Sequence, residues 1–411
     1  MNITFFYPSI ELGGAELLFA RMAIYLSKAN HLITVIDSEK KIIFDLCKEH
    51  NILRKTIGVN ERVKVEKTYL VVFANNAFNL NDYLELASDV KILFWNVHPF
   101  NVIISPSFIP RFILTGNGTL LKKINSILFS SIYKNRRDFI DKAVRKRSFL
   151  IMDGECCSAI SNHYSLPIDT TKNVFLPVPI NICSCEQLEI KKIDVHSPVN
   201  IFWYGRLCDF KIHSLVKVIN EIKNSNIAFK LHIIGDGDKA YFVIKKCLES
   251  KIDFKMYGRM NNTDALKLIA SKAQCVFAMG TSALECASLG LPTILAPVSY
   301  KPIEKNIRYE WLYETKQYTL GRFIREEDYS ENVGLECIIK KMFADYDKIS
   351  IASKQYVKSN HDISVIAEQL LKNLNSQLIT PSDLIIEDKG FIYKCYHILR
   401  RFILNFRKVN R

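Results

Sequence analysis

The sequence predicts an α/β protein built from two doubly wound, Rossmann-like domains, and three observations carry that expectation. Short apolar runs alternate with helix-period segments, the pattern of parallel sheets covered on both faces. The rhythm occurs twice, once from residue 1 and again from residue 199. At 411 residues the chain is too long for one ordinary domain and ample for two, each able to bury its own core.

In chain order, the first half opens on the strand-like NITFFYP, then a glycine turn, ELGGAE. A helix follows, with Leu18, Met22, Tyr25 and Leu26 at helical spacing. HLITVID, TYLVVFAN and VKILFWNV are the next strands expected in that sheet. In the second half NIFWYG, FKLHIIGDG, FKMYG, CVFAM and PTILAP alternate with helices beginning near His213, Lys239, Thr263 and Ser282. Hydrophobic periodicity lapses between about Pro179 and Val199. Residues 1–190 are therefore assigned to a first domain, 191–375 to a second and 376–411 to a tail. Doubly wound sheets bind ligands at the carboxyl ends of their strands, so a cleft between two facing domains is the expected site.

The balance of 48% apolar and 24% charged residues is that of a globular protein. The opening MNITFFYPSI lacks the basic stretch and cleavage site of a signal peptide, and no apolar run reaches the roughly 18–20 residues of a membrane-spanning helix. A cytoplasmic location is expected. The eleven cysteines are irregularly spaced, many within apolar runs (Cys275, Cys286), which suits reduced, buried thiols. Neither Cys156-Cys157 nor Cys183-Ser-Cys185 has the spacing of a zinc site, so no metal is expected there.

The net charge of +14 is concentrated. Between Lys122 and Arg147 nine basic residues face only Asp138 and Asp141, and between Lys389 and Arg411 seven basic residues face none. In the tail Ile392, Tyr396, Leu399, Phe402 and Phe406 recur at helical spacing among Lys394, Arg400 and Arg401. Such a cationic amphipathic helix suits an anionic membrane surface, as does LLKKINSILFSSIYKNRR. Lys122, Lys123, Arg136, Arg137, Arg400, Arg401 and Phe402 are the expected membrane contacts. The alternative is a helix packed on its own protein with a solvated basic face. Nucleic acid is not an expected partner, because no stacking platform of aromatic residues accompanies the charge.

Four motifs bear on chemistry. GGAE, Gly13 to Glu16, joins the first strand to a helix, where glycines allow close backbone approach and free N–H groups favour an anion. GRLCDFK, Gly205 to Lys211, offers Arg206 and Lys211 as fixed cations for the charge that grows on a departing diphosphate. IIGDGD, Ile233 to Asp238, ends a strand in glycines. MGTSALECASLGLPTI, Met279 to Ile294, sets Gly280, Thr281 and Ser282 at a helix start, suited to phosphate, and Glu285 one turn later, suited to a ribose diol.

In this order the motifs resemble the family 4 glycosyltransferases, over nearly the whole chain to about Asn375. The resemblance implies the GT-B fold and retaining transfer from a nucleoside diphosphate sugar without a cofactor. It further implies Gly13 and Gly14 beside the diphosphate and acceptor, Gly205, Arg206 and Lys211 on the diphosphate, and Gly235 enclosing the nucleotide. Gly258 would lie by the base, Glu285 on the ribose, and His98, in FWNVHP, near the donor sugar. His98, Arg206, Lys211 and Glu285 are the catalytic candidates. Two positions depart from the family: Ile212 follows Lys211 where glycine is usual, and Phe277 stands where a first glutamate usually precedes Glu285. Without that glutamate an inverting outcome stays open. No DxD-like carboxylate pair occurs at a strand end in a convincing context, so metal-dependent transfer is not expected. With the basic segments, the resemblance implies a peripheral enzyme of the inner membrane face. Its acceptor would be a polyprenyl-diphosphate-linked or other saccharide, in assembly of a surface polysaccharide such as lipopolysaccharide or capsule. A nucleotide-sugar 2-epimerase and a non-catalytic sugar-nucleotide-binding scaffold are the alternatives.

Overall fold

The computed structural model describes residues 1–58, 61–104, 118–182, 198–331 and 333–385. The chain forms two compact units, Met1–Pro179 joined by the chain from Ile363, and Ile180–Asp362.

The first unit holds β1 (Asn2–Phe6), β2 (Leu32–Asp37), β3 (Leu53–Thr56), β4 (Val63–Val65), β5 (Tyr69–Phe73), β6 (Leu84–Leu86), β7 (Lys91–Asn96) and β8 (Phe149–Ile151). Six of them form one parallel sheet in the order β3-β2-β1-β5-β7-β8, and β4 pairs with β6 apart from it. The register is regular, with Ile3 opposite Ile33 and Leu70 opposite Ile92. Helices cover both faces, so the central strands are apolar throughout: Val71, Val72, Leu93 and Phe94 are all buried. Helix Gly14–Lys28 buries Leu18, Met22 and Leu26 of the stripe its spacing predicts, while Tyr25, the fourth member, is half-buried. No strand was expected at β3, β4, β6 or β8: β3 is exposed along its length, β4 and β6 each bury a single residue, and β8 is an apolar run of only three.

The second unit holds β9 (Val199–Tyr204), β10 (Phe229–Ile234), β11 (Phe254–Gly258), β12 (Cys275–Ala278) and β13 (Thr293–Leu295), in the order β11-β10-β9-β12-β13. All pairs are parallel, with Trp203 of β9 opposite both Ile233 and Phe277. Sheet order reverses between β9 and β12 here, and between β1 and β5 in the first unit. Ligands of doubly wound folds bind at such switch points.

The expected boundaries at 190 and 375 are displaced. Ile180 already pairs with Asp362, its N–H donating to His361 O at 2.8 Å, which fixes both ends of the second unit. Helix Ile363–Leu374 packs on helix Gly14–Lys28 and buries Ile366, Leu370 and Leu374. Beyond it Ile379 bridges Ile92 and donates its N–H to Ser148 Oγ at 2.7 Å. Asp383 then takes the ammonium groups of Lys142 at 2.6 Å and Lys146 at 3.0 Å. Residues 363–385 thus complete the first unit, a return that helical periodicity alone cannot reveal.

Candidate functional site

In the second unit the loops after β9 and β10 lie against each other. Gly205 N–H donates to Ile234 O at 3.0 Å, Leu207 N–H to Asp236 O at 2.9 Å and Lys239 N–H to Leu207 O at 3.2 Å. A Cβ on Gly235 would stand 2.0 Å from Gly205 O, and one on Gly237 2.3 Å from Leu207 O. The glycines of IIGDGD are therefore required first by loop packing.

Lys211 lies in the first turn of helix Asp209–Lys223, its Nζ 3.3 Å from where a Cβ on Gly205 would project. The side chain is half-buried, and burial, with Arg206 adding to it, pulls its pKa down to about 8. Arg206 itself is exposed, so two cations flank the carboxyl end of β9. Ile212, in the place of the usual glycine, is already helical and buried, its N–H donating to Cys208 O at 3.0 Å.

Beside this loop, because Tyr204 of β9 pairs with Ala278 of β12, stands the second half of the cluster. Only Met279 and Gly280 separate β12 from helix Thr281–Ser288. Gly280 takes φ +68° and donates its N–H to Leu320 O at 2.7 Å. Thr281 and Ser282, partly exposed, lie in the first turn, where backbone N–H groups favour an anion. Glu285 is mostly buried, and its Oε1 accepts from Asn262 Nδ2 at 3.3 Å. Asn262 Oδ1 in turn accepts from Tyr204 Oη at 2.8 Å. Asn262 and Tyr204 carried no motif and went unnoticed in the sequence. Gly258 ends the edge strand β11, two strands from the switch point, with its carbonyl accepting from Gly235 N–H at 2.9 Å.

Phe277 lies within β12, buried and edge-on to Tyr309 at 5.2 Å. The position where the family carries its first glutamate is therefore core here, because the connection to the next helix is short.

In the first unit Gly13 caps helix Gly14–Lys28 in an extended conformation. Beneath the turn is the buried carboxylate of Glu16, whose Oε2 would lie 3.0 Å from a Cβ on Gly13. Glu16 hydrogen-bonds the Tyr7 hydroxyl, and burial and this carboxylate push the tyrosine pKa up. Tyr7 stacks on Phe73 at 4.1 Å across the β1/β5 switch point. His98 is exposed just beyond β7, its Nδ1 accepting from Phe100 N–H at 3.2 Å. Gly13 and His98 share the carboxyl edge of the sheet, with β5 between their strands.

The basic segment is only partly a surface. Arg136, an expected membrane contact, is buried: its guanidinium lies 4.2 Å over the Phe78 ring and donates to Val102 O at 3.3 Å. Helical spacing put it on the inner face. Arg137 donates to Tyr164 O at 3.1 Å and pairs with Asp138, and Lys122 hydrogen-bonds Ser165 Oγ. Lys123 is exposed, beside exposed Leu120, Ile127 and Leu128 on helix Gly118–Leu128. Arg400, Arg401 and Phe402 lie outside the described residues, as do Cys183 and Cys185. Among the described residues no helix is long and apolar enough to cross a membrane, and no group of three His, Cys, Asp or Glu is placed to hold a metal ion.

No protein-family model and no curated protein matches the chain. Solved structures do. The HepE protein of Anabaena, in complex with UDP, is similar over 91% of this chain and 99% of its own, with a TM-score of 0.55 and 13% identity. A glycosyltransferase from Rickettsia africae is similar over 91% and 98%, with a TM-score of 0.55 and 15% identity. HepE in complex with UDP-glucose gives 0.52 at 13% identity, over 91% and 99%. The fold of this chain is accordingly that of the GT-B glycosyltransferases.

Proposed function

We propose that the protein is a family 4-type glycosyltransferase that binds a nucleoside diphosphate sugar on its second unit. The observation that carries the reading is the convergence, at the β9/β12 switch point, of two cations, a helix start and a buried carboxylate. Arg206 and Lys211 receive the diphosphate, with the N–H and hydroxyl groups of Thr281 and Ser282 beside it. Glu285 takes the ribose. As the bond between sugar and diphosphate breaks, the two fixed cations stabilise the charge that accumulates on the leaving group, without a metal. HepE, whose complexes hold UDP and UDP-glucose, supports a uridine donor.

The first unit is read as the acceptor side, through Gly13, Gly14 and His98. Its exposed Leu120, Ile127 and Leu128 beside Lys123 support peripheral binding to an anionic membrane and a lipid-linked saccharide acceptor, as in surface polysaccharide assembly. Retention is the stereochemistry proposed by kinship with the family. Phe277 in the core is the observation that favours the second reading, a sugar-nucleotide-binding scaffold.

The test is to incubate the purified chain, with and without lipid extract, with a panel of nucleotide sugars and to measure nucleoside diphosphate release. Release that depends on one donor and on lipid establishes the transferase. Binding of a donor without its consumption in either condition would establish the scaffold instead.

A further inference from the structure

Resting on the reading of Glu285 as the ribose ligand, we propose that Asn262 is a positioning residue that holds this carboxylate for a ribose diol. The chain Tyr204–Asn262–Glu285 would thereby set the preference for ribonucleotides over 2′-deoxyribonucleotides. Three elements meet in it: the end of β9, the first residue of helix Asn262–Lys272 and, one turn in, helix Thr281–Ser288.

The polarity of the chain is fixed by chemistry. The Tyr204 hydroxyl donates to Asn262 Oδ1 at 2.8 Å, which turns Nδ2 toward Glu285 Oε1 at 3.3 Å. The reverse orientation would set the amide oxygen against a carboxylate, two acceptors face to face. Asn262 is also held by its backbone: the preceding Asn261 caps the helix, its Oδ1 accepting Asp264 N–H at 2.9 Å. The tether thus runs from a helix start to a mostly buried carboxylate. An ionised carboxylate offers about four lone-pair sites, and the amide hydrogen of Asn262 takes only one of them, so this contact does not compete with hydroxyl donors for the whole group. Because asparagine is neutral, it orients Glu285 without forming an ion pair that the ribose would have to break. Side chains that hold a ligand group in its productive rotamer matter because small misplacements erode selectivity.

The experiment measures, by calorimetry on the full chain, affinity for UDP against 2′-deoxy-UDP, with the guanosine pair in parallel. The wild-type chain should prefer the ribonucleotide at least about tenfold, from the hydrogen bond lost with the 2′-hydroxyl. Glu285→Ala should abolish that preference. Asn262→Ala should bring it within about threefold of the Glu285→Ala value while leaving the circular dichroism spectrum and melting curve of the native kind. Asn262→Asp should lose the preference at pH 7.5 and regain part of it at pH 6, where two facing carboxylates more readily share a proton. Tyr204→Phe, which deletes one hydroxyl only, should weaken the preference severalfold and serves if the asparagine variants do not fold. A preference lost in Glu285→Ala but intact in Asn262→Ala or Tyr204→Phe overturns the role of Asn262 alone. No preference in the wild-type chain overturns the reading of Glu285 and the role of Asn262 together.

Discussion

Gly235 and Gly205 meet so closely that a single methyl on Gly235 would stand 2.0 Å from the Gly205 carbonyl oxygen. Gly235 also has φ +145°, which side-chain-bearing residues rarely adopt. Backbone strain and overpacking together should make Gly235→Ala cost at least about 2 kcal/mol. Denaturant unfolding measures this; a loss under about 0.5 kcal/mol would show that the two loops can part freely.

Lys211, with its pKa drawn down to about 8 by burial and by Arg206, should make donor binding pH-dependent. In the proposed donor site the ammonium is the binding form, and it is lost as pH rises through 8. Association with a nucleotide sugar, whose diphosphate does not titrate there, should fall about tenfold between pH 7 and pH 9. Lys211→Met should bind weakly and with a flat profile, and should stabilise the ligand-free fold at pH 7, since it removes a desolvated charge. Titration calorimetry across that range, with melting curves, checks both.

Asp383 ties the returning chain to Lys142 and Lys146. Burial acts to raise its pKa, but hydrogen bonds from both lysines and from Thr380 N–H hold it well below the ordinary carboxylate range. Its stabilisation is therefore present in full above about pH 4 and is lost as pH falls from there through the depressed folded value. Asp383→Asn should cost about 1–3 kcal/mol at pH 7 and flatten the acid limb of the stability curve. An acid limb identical to wild type would refute the clip.

Arg136 and Lys123 should separate structure from surface. Arg136→Ala removes a buried guanidinium from Phe78 and Val102 and should cost about 1–3 kcal/mol of stability. Lys123→Glu, at an exposed site, should leave the melting temperature nearly unchanged but weaken binding to anionic phospholipid vesicles about tenfold or more. Equal vesicle binding by the wild type and Lys123→Glu would move the membrane surface elsewhere.

Phe277→Glu, which supplies a carboxylate where the family carries one, should not create a catalytic group. The side chain lies in β12 against Tyr309, so an unpaired carboxyl there should cost more than about 3 kcal/mol. A folded variant with raised turnover would mean that this strand end can rearrange into a longer loop.

The second sheet was the most legible part of the chain. NIFWYG, FKLHIIGDG, FKMYG, CVFAM and PTILAP all became strands, because strands covered on both faces are apolar along their length and that shows in the sequence, although FKMYG, at the sheet edge, has no buried residue. The placement of Arg206, Lys211, Gly280 and Glu285 at short offsets from strand ends was legible too, since hydrophobicity marks those ends; their roles toward a donor are the ones proposed above. The strands β3, β4, β6 and β8 were missed: β3 is exposed along its length and β4 and β6 each bury a single residue, so none of these three is an apolar run, and β8 is a run of only three residues.

By itself, then, the sequence determined the two α/β units, their strand ends and the charged groups at those ends, all of which follow from local periodicity and spacing. Tertiary structure alone decided that residues 363–385 return to the first unit, that Arg136 turns inward, that Phe277 is core, and that Asn262 reaches Glu285 from 23 residues away. Each of these depends on which surfaces meet after the chain has crossed over. Pairings between distant segments are set by packing and hydrogen-bond geometry, and neither leaves a period in the residues that make them.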